Sequence, residues 1–215
     1  MLKSTLFGLF CVLSMHIMAQ NNLDTLGKNS LLFSGTEYFK QFNEVKGNPF
    51  FPTSNNWGQV NYHGYVYDNI EVLYDCEDDI ALVRDQQGLL KLKLIREKLD
   101  GFTIDKHKFI KLKLLSSGGE YYEELYRNKY ALLMQWQKKA ELDSQEIERY
   151  ILKKTIFMLK GSAILPITSR SELQTLIPEK EKDLKKIYRS NRLNFKKDPI
   201  EASRVIIREI ENKGW

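Results

Sequence analysis

The sequence predicts a mainly β protein with an α tail: an antiparallel β-meander or partly closed barrel followed by three short C-terminal helices. Three observations lead there. From Trp57 onward, short runs of β-branched, aromatic and leucine residues recur between turn signals. Two of these runs keep a period of two: Leu90, Leu92 and Leu94 alternate with Lys91 and Lys93, and Ile110, Leu112 and Leu114 alternate with Lys111 and Lys113. Such strands have one wet face and one core face. After Ser169 the apolar spacing changes to that of helices with clear start signals. The 215 residues, 42% hydrophobic and 28% charged, are enough for one substantial core and exclude a disordered, collagen-like or multi-span membrane chain.

Residues 1–19 read as a secretory signal peptide. Lys3 supplies the positive start, Thr5 to Leu13 is a short apolar stretch, and Ala19 is the small residue before the polar run Gln20-Asn21-Asn22. A spanning helix needs about 20 apolar residues, so no stable transmembrane anchor is expected after cleavage. The chain is therefore expected to be exported, to the periplasm or the cell surface. Cleavage would remove Cys11 and leave Cys76 as the lone cysteine, which forbids an intramolecular disulfide and is expected to be buried beside Tyr74.

Residues 20–56 form an irregular N-terminal arm, with Gly47-Asn48-Pro49 and Pro52-Thr53-Ser54-Asn55-Asn56 as breakers and at most one strand. Residues 57–168 form the β domain. Its expected strands are 59–62, 65–67, 70–74, 80–84, 89–95, 102–104, 109–114, 121–126 and 129–137, separated by turns such as His63-Gly64, Asp68-Asn69 and Asp100-Gly101. Residues 142–149 are polar and read as a loop or one helical turn, before a last hairpin of 150–159 and 163–167 around Gly161-Ser162. Residues 169–215 are the helical appendage. Ser169-Arg170-Ser171-Glu172 is a capping box, Pro178 opens a helix whose Leu184, Ile187 and Tyr188 share one face, and Asp198-Pro199 opens a third with Ala202, Ile206 and Ile210 as its stripe. Helices this short cannot bury their stripes alone and should dock on the sheet or on a partner.

No catalytic or metal motif is present: there is no G-x-S-x-G elbow, H-E-x-x-H, P-loop or dinucleotide fingerprint. No catalytic residue, metal ligand or cofactor is therefore assigned, and the balance is against an enzyme. His63 and His107 stand at expected hairpin turns without a ligand pattern and read as surface residues. The acidic run Asp75-Cys76-Glu77-Asp78-Asp79 lacks the alternating spacing and central glycine of a calcium loop and reads as solvated.

The candidate ligand-binding residues are the aromatics Trp57, Tyr65, Tyr67, Tyr122 and Tyr126. If Tyr65 and Tyr67 share an exposed face they make a stacking platform for a sugar or peptide; the plainer reading is cross-strand packing. Lys91, Lys93, Lys111 and Lys113 would make a basic face if their strands pair, or simply protect sheet edges. Residues 21–177 hold 21 basic and 21 acidic side chains and residues 178–215 hold 11 and 7, so the whole excess of +4 lies in the tail. That tail could touch an anionic surface, although its interspersed acids also suit a solvated helix face, and export makes nucleic acid an improbable partner.

Trp57-Gly58-Gln59-Val60, Gly64-Tyr65-Val66-Tyr67-Asp68-Asn69, Val72-Leu73-Tyr74-Asp75, Tyr121-Tyr122-Glu123-Glu124-Leu125-Tyr126 and the stretch from Ser169 to Phe195 together resemble a pattern of exported proteins of Bacteroidota-type bacteria, a group without an established activity. The resemblance implies a Gram-negative envelope location and no chemistry. The leading expectation is an exported, non-enzymatic envelope protein that binds another envelope component, protein or glycan, through its sheet face or basic tail. The alternative is a periplasmic carrier of a hydrophobic small molecule or lipid, which needs an open apolar interior.

Overall fold

Antiparallel pairing organises the β domain throughout. The computed structural model describes residues 30–41, 45–112, 120–142 and 144–215. The expected signal segment, Leu114 and Lys113 lie outside them. Eleven strands make one sheet: β1 (Thr36–Glu37), β2 (Trp57–Tyr62), β3 (Tyr65–Asp75), β4 (Ile80–Arg84), β5 (Lys91–Lys93), β6 (Leu99–Ile104), β7 (His107–Leu112), β8 (Glu120–Arg127), β9 (Ala131–Leu142), β10 (Glu148–Lys160) and β11 (Ala163–Ile167). Their order in space is β1-β5-β4-β3-β2-β6-β7-β8-β9-β10-β11, and the sheet does not close on itself. Three α-helices follow, α1 (Arg170–Gln174), α2 (Glu181–Ser190) and α3 (Pro199–Asn212).

The order departs from a simple meander at one place. After β5 the chain returns to lie beside β2 through the 3-10 turn Arg96–Lys98. The return is short because β3 pairs β2 with its first half and β4 with its second, so the sheet turns a corner along this one long strand. Asp68-Asn69, expected as a turn, instead lies within β3: Asn69 takes φ 55°, and the strand continues beyond it. An asparagine tolerates this left-handed conformation better than most residues, which lets the strand kink without ending. Opposite it, the register with β2 shifts between Gly58 and Gln59.

The curled sheet encloses an aromatic core. Phe102 and Phe109 stack with ring centres 4.8 Å apart, and Tyr74, Tyr121, Phe51 and Trp136 pack around them. Ring pairs of this kind each contribute about 0.5–1.5 kcal/mol beyond the area they bury. Phe51 comes from the arm rather than from the β domain. Its backbone N–H donates to Tyr74 O (2.7 Å), Cys76 N–H donates to Pro49 O (3.0 Å), and Lys46 exchanges hydrogen bonds with Glu148 and Tyr150. The arm thus fills the gap between the end of β3 and the start of β10, and Lys138 N–H on β9 reaches Cys76 O directly (3.1 Å). Cys76 is buried as expected, and burial pushes its thiol far above the ordinary range.

The tail follows its start signals. Ser169 Oγ caps α1 by accepting from Glu172 N–H, and Asp198 Oδ1 caps α3 by accepting from Glu201 N–H. The Glu172 carboxylate returns to Thr168, one residue before the expected partner. Leu184, Ile187 and Tyr188 of α2 and Ala202, Ile206, Ile207 and Ile210 of α3 are buried in the main core, so the helices dock on the sheet. Polar contacts fix that docking. Glu211 accepts from Tyr126 Oη (2.6 Å), Tyr130 N–H (2.8 Å) and Asn128 Nδ2 (3.2 Å). Burial pushes its carboxyl up, but these hydrogen bonds, with Lys129 nearby, outweigh that and hold it below the ordinary carboxylate range. A depressed folded-state value stabilises above the unfolded value and loses its effect as pH falls through the folded one. Glu211→Gln should therefore lower the urea midpoint at neutral pH, and the gap to the parent protein should narrow at about pH 3. An equal gap at both pH values would show that the ionised carboxylate is not what holds α3.

Candidate functional site

Trp57 begins β2, and its backbone is pinned on both sides: its N–H donates to Asn55 Oδ1 (3.1 Å) and its carbonyl accepts from Asp105 N–H (2.9 Å). Its cross-strand partner is Glu71, which neighbours core-facing Val72 and therefore projects from the outer face. Arg84 Nε donates to Glu71 Oε1 (2.7 Å), and Arg84 Nη1 donates to Gly88 O (3.1 Å), so the guanidinium is held at two points. The turn after β4 is closed by Gly88 N–H to Asp85 O, and Asp85 Oδ1 accepts from Leu90 N–H (2.9 Å). Together these elements line a surface cleft of about 350 Å³, with Trp57, Phe33 and Ile70 as its apolar wall and Arg84, Gln86 and Gln87 among its polar groups. The indole is 52% exposed.

Such a cleft offers a flat aromatic face beside a carboxylate, a guanidinium and two exposed amide side chains. That set suits a ligand with an apolar face and a hydroxyl-rich edge, because the ring supplies stacking area while the polar groups fix orientation.

The other expected aromatics are not gathered there. Tyr65 and Tyr67 do share a face, with ring centres 6.4 Å apart, but they stand opposite Tyr62 and Val60, which are core residues. Tyr67 is accordingly only 4% exposed, and burial raises its hydroxyl pKa; Tyr65 at the rim is 46% exposed. The shared exposed platform therefore does not form. Tyr122 is 2% exposed in a small second cluster with Ala131 and Leu133, and its ring meets Phe157 edge-on at 5.5 Å. Tyr126 spends its hydroxyl on Glu211. Of the five residues, Trp57 alone lines the outer-face cleft, and the residues around it that sequence reading missed are Glu71, Arg84, Gln86 and Gln87. Only the bend in β3 and the β4–β5 turn bring them together.

Of the four lysines, Lys113 lies outside the described residues, and Lys91, Lys93 and Lys111 do not assemble. Strands β5 and β7 do not pair; Lys91 and Lys93 lie over the rings of Phe50 and Tyr38, and Lys111 donates to Arg96 O (2.6 Å).

The acidic run proves to be a clasp rather than a solvated turn. Asp75 is fully buried and accepts from Tyr38 Oη (2.7 Å), Lys40 Nζ (3.1 Å) and the N–H groups of Glu77 and Asp78. The Lys40 ammonium also meets Glu77 and Asp78, each at 2.7 Å, and so stands where a metal ion would need to sit. Burial pulls its pKa down, but the three carboxylates outweigh that and hold it above the ordinary lysine range. Among the described residues no group of three or more His, Cys, Asp or Glu side chains is placed to hold a metal ion.

His107 is not a surface turn residue. It opens β7, and its Nδ1 lies 2.6 Å from Glu123 Oε1, while Glu123 Oε2 accepts from Trp136 Nε1 (2.7 Å). A carboxylate can orient an imidazole for proton transfer in this way, but the ring neighbours of His107 are Phe51 and Trp136, and the trio caps one end of the aromatic core. Nothing in the sequence pairs His107 with a residue 16 positions away.

No family model, curated protein or solved structure matches this chain. Among the described residues no helix is long and apolar enough to cross a membrane.

Proposed function

We propose that the chain is an exported, non-enzymatic envelope protein that binds a glycan in the cleft beside Trp57. The observation that carries this reading is the half-exposed indole set against the Glu71–Arg84 pair and the exposed Gln86 and Gln87. A pyranose presents one apolar C–H face and a rim of hydroxyls. The indole takes the face, while carboxylate, guanidinium and amides exchange hydrogen bonds with the rim. The resemblance to exported Bacteroidota-type proteins supports an envelope setting. A carrier would need an open interior, whereas here Phe51, Tyr74, Phe102, Phe109, Tyr121 and Trp136 pack against one another inside the sheet.

The test uses soluble muropeptides and oligosaccharides released from envelope polysaccharide, with binding followed by isothermal titration calorimetry. Trp57→Ala should weaken binding at least about tenfold, equivalent to about 1.4 kcal/mol, with thermal stability nearly unchanged. No binding across the saccharide panel, or equal binding by Trp57→Ala, would overturn the proposal.

A further inference from the structure

Helix α2 divides its surface sharply. Leu184, Ile187 and Tyr188 are buried against the core, and Lys182, Lys185, Lys186 and Arg189 follow one another at helical spacing on the opposite side, all exposed. These four, with Ser190, line an open depression of about 520 Å³. Lys185 is engaged with Glu181 of the same helix. Across residues 180–197 there are eight basic and two acidic side chains, so this short stretch concentrates the positive charge of the whole tail. Docking prevents α2 from turning its cations elsewhere. The partly exposed Trp215, packed against the core, lies with its ring 5.2 Å from Lys180 Nζ and 5.6 Å from Lys213 Nζ, apart from these four cations.

We propose that the basic side of α2 docks on a bilayer surface bearing anionic phospholipid headgroups. A rigid, outward-facing row of cations meets a plane of phosphates without any rearrangement, and each charge near such a surface adds to the attraction. The four cations are far from the Trp57 cleft in the sequence and belong to other elements, so this inference stands whether or not a glycan binds there.

The protein as processed by its own host is sedimented with vesicles of phosphatidylcholine alone and of phosphatidylcholine mixed with phosphatidylglycerol. Binding is expected only to the mixed vesicles and should fall at least tenfold on raising salt from 50 to 500 mM, because exposed charges are screened. The variant carrying Lys182→Gln, Lys185→Gln, Lys186→Gln and Arg189→Gln should lose at least nine-tenths of this binding while keeping its circular dichroism and its saccharide affinity. Trp57→Ala should bind vesicles like the parent. Equal binding to neutral vesicles, undiminished binding by the folded quadruple variant, or binding to a soluble anionic polysaccharide with none to mixed vesicles would each overturn the proposal.

Discussion

Asp75→Ala should cost about 3–5 kcal/mol of folding free energy, a large part of the 5–15 kcal/mol typical of a domain. The carboxylate is buried and serves four donors at once: the Tyr38 hydroxyl, the Lys40 ammonium and two backbone N–H groups. Removing it takes that acceptor from all four; the Tyr38 hydroxyl is buried and the others are only part-buried, and the groups left unsatisfied away from water carry most of the cost. Asp75→Asn should be little better, since its amide would turn a donor toward Tyr38 or Lys40. Lys40→Met should cost less, because Asp75 keeps its other partners. Urea unfolding of the three variants at neutral pH ranks them; a loss below about 1 kcal/mol for Asp75→Ala would mean that the clasp is not structural.

The second large effect is expected at Gly58. A Cβ built there would lie 1.9 Å from the Thr103 carbonyl oxygen and 2.6 Å from its carbon, both backbone atoms of the neighbouring strand. Gly58→Ala must therefore push β2 and β6 apart, at a cost of about 2–4 kcal/mol, and displace adjacent Trp57 from the cleft. Gly64, where φ is +75° and an added Cβ meets nothing within 4 Å, provides the contrast: Gly64→Ala should cost only about 1 kcal/mol of backbone strain. Thermal melts of the two variants distinguish packing from conformation. Near-equal losses would remove the close approach of β2 and β6 as the cause.

Period-two alternation and turn residues made the strands legible, and cap residues did the same for the helices: Ser169 and Asp198 cap the helices they were expected to start. Both are local signals. The bend in β3 was not legible, because Asp68-Asn69 is a turn by composition and only pairing on both sides keeps the strand going. The same limit applies to the site. Trp57 stood out as an aromatic at a strand start, but its exposure depends on a register that pairs it with Glu71, and Arg84 joins only through the next strand. Tyr67 and Tyr122 looked equivalent to Trp57 in sequence, since nothing there tells which face of a curled sheet is inside. Lys40 as the partner of the acidic run was equally hidden, 35 residues from Asp75.

The arm that fills the gap in the sheet sets an order on folding. Lys138 Nζ donates to Asn48 O across 90 positions of sequence, and Lys46 pairs with Glu148 and Tyr150. Contacts so distant along the chain form only after the loop entropy between them has been lost. A ribosome making this protein releases the arm early, yet the arm has no native place until β9 and the start of β10 have emerged. During synthesis Phe51 and its neighbours therefore stay without their final packing partners, and the aromatic interior is sealed by a segment made long before the strands it joins.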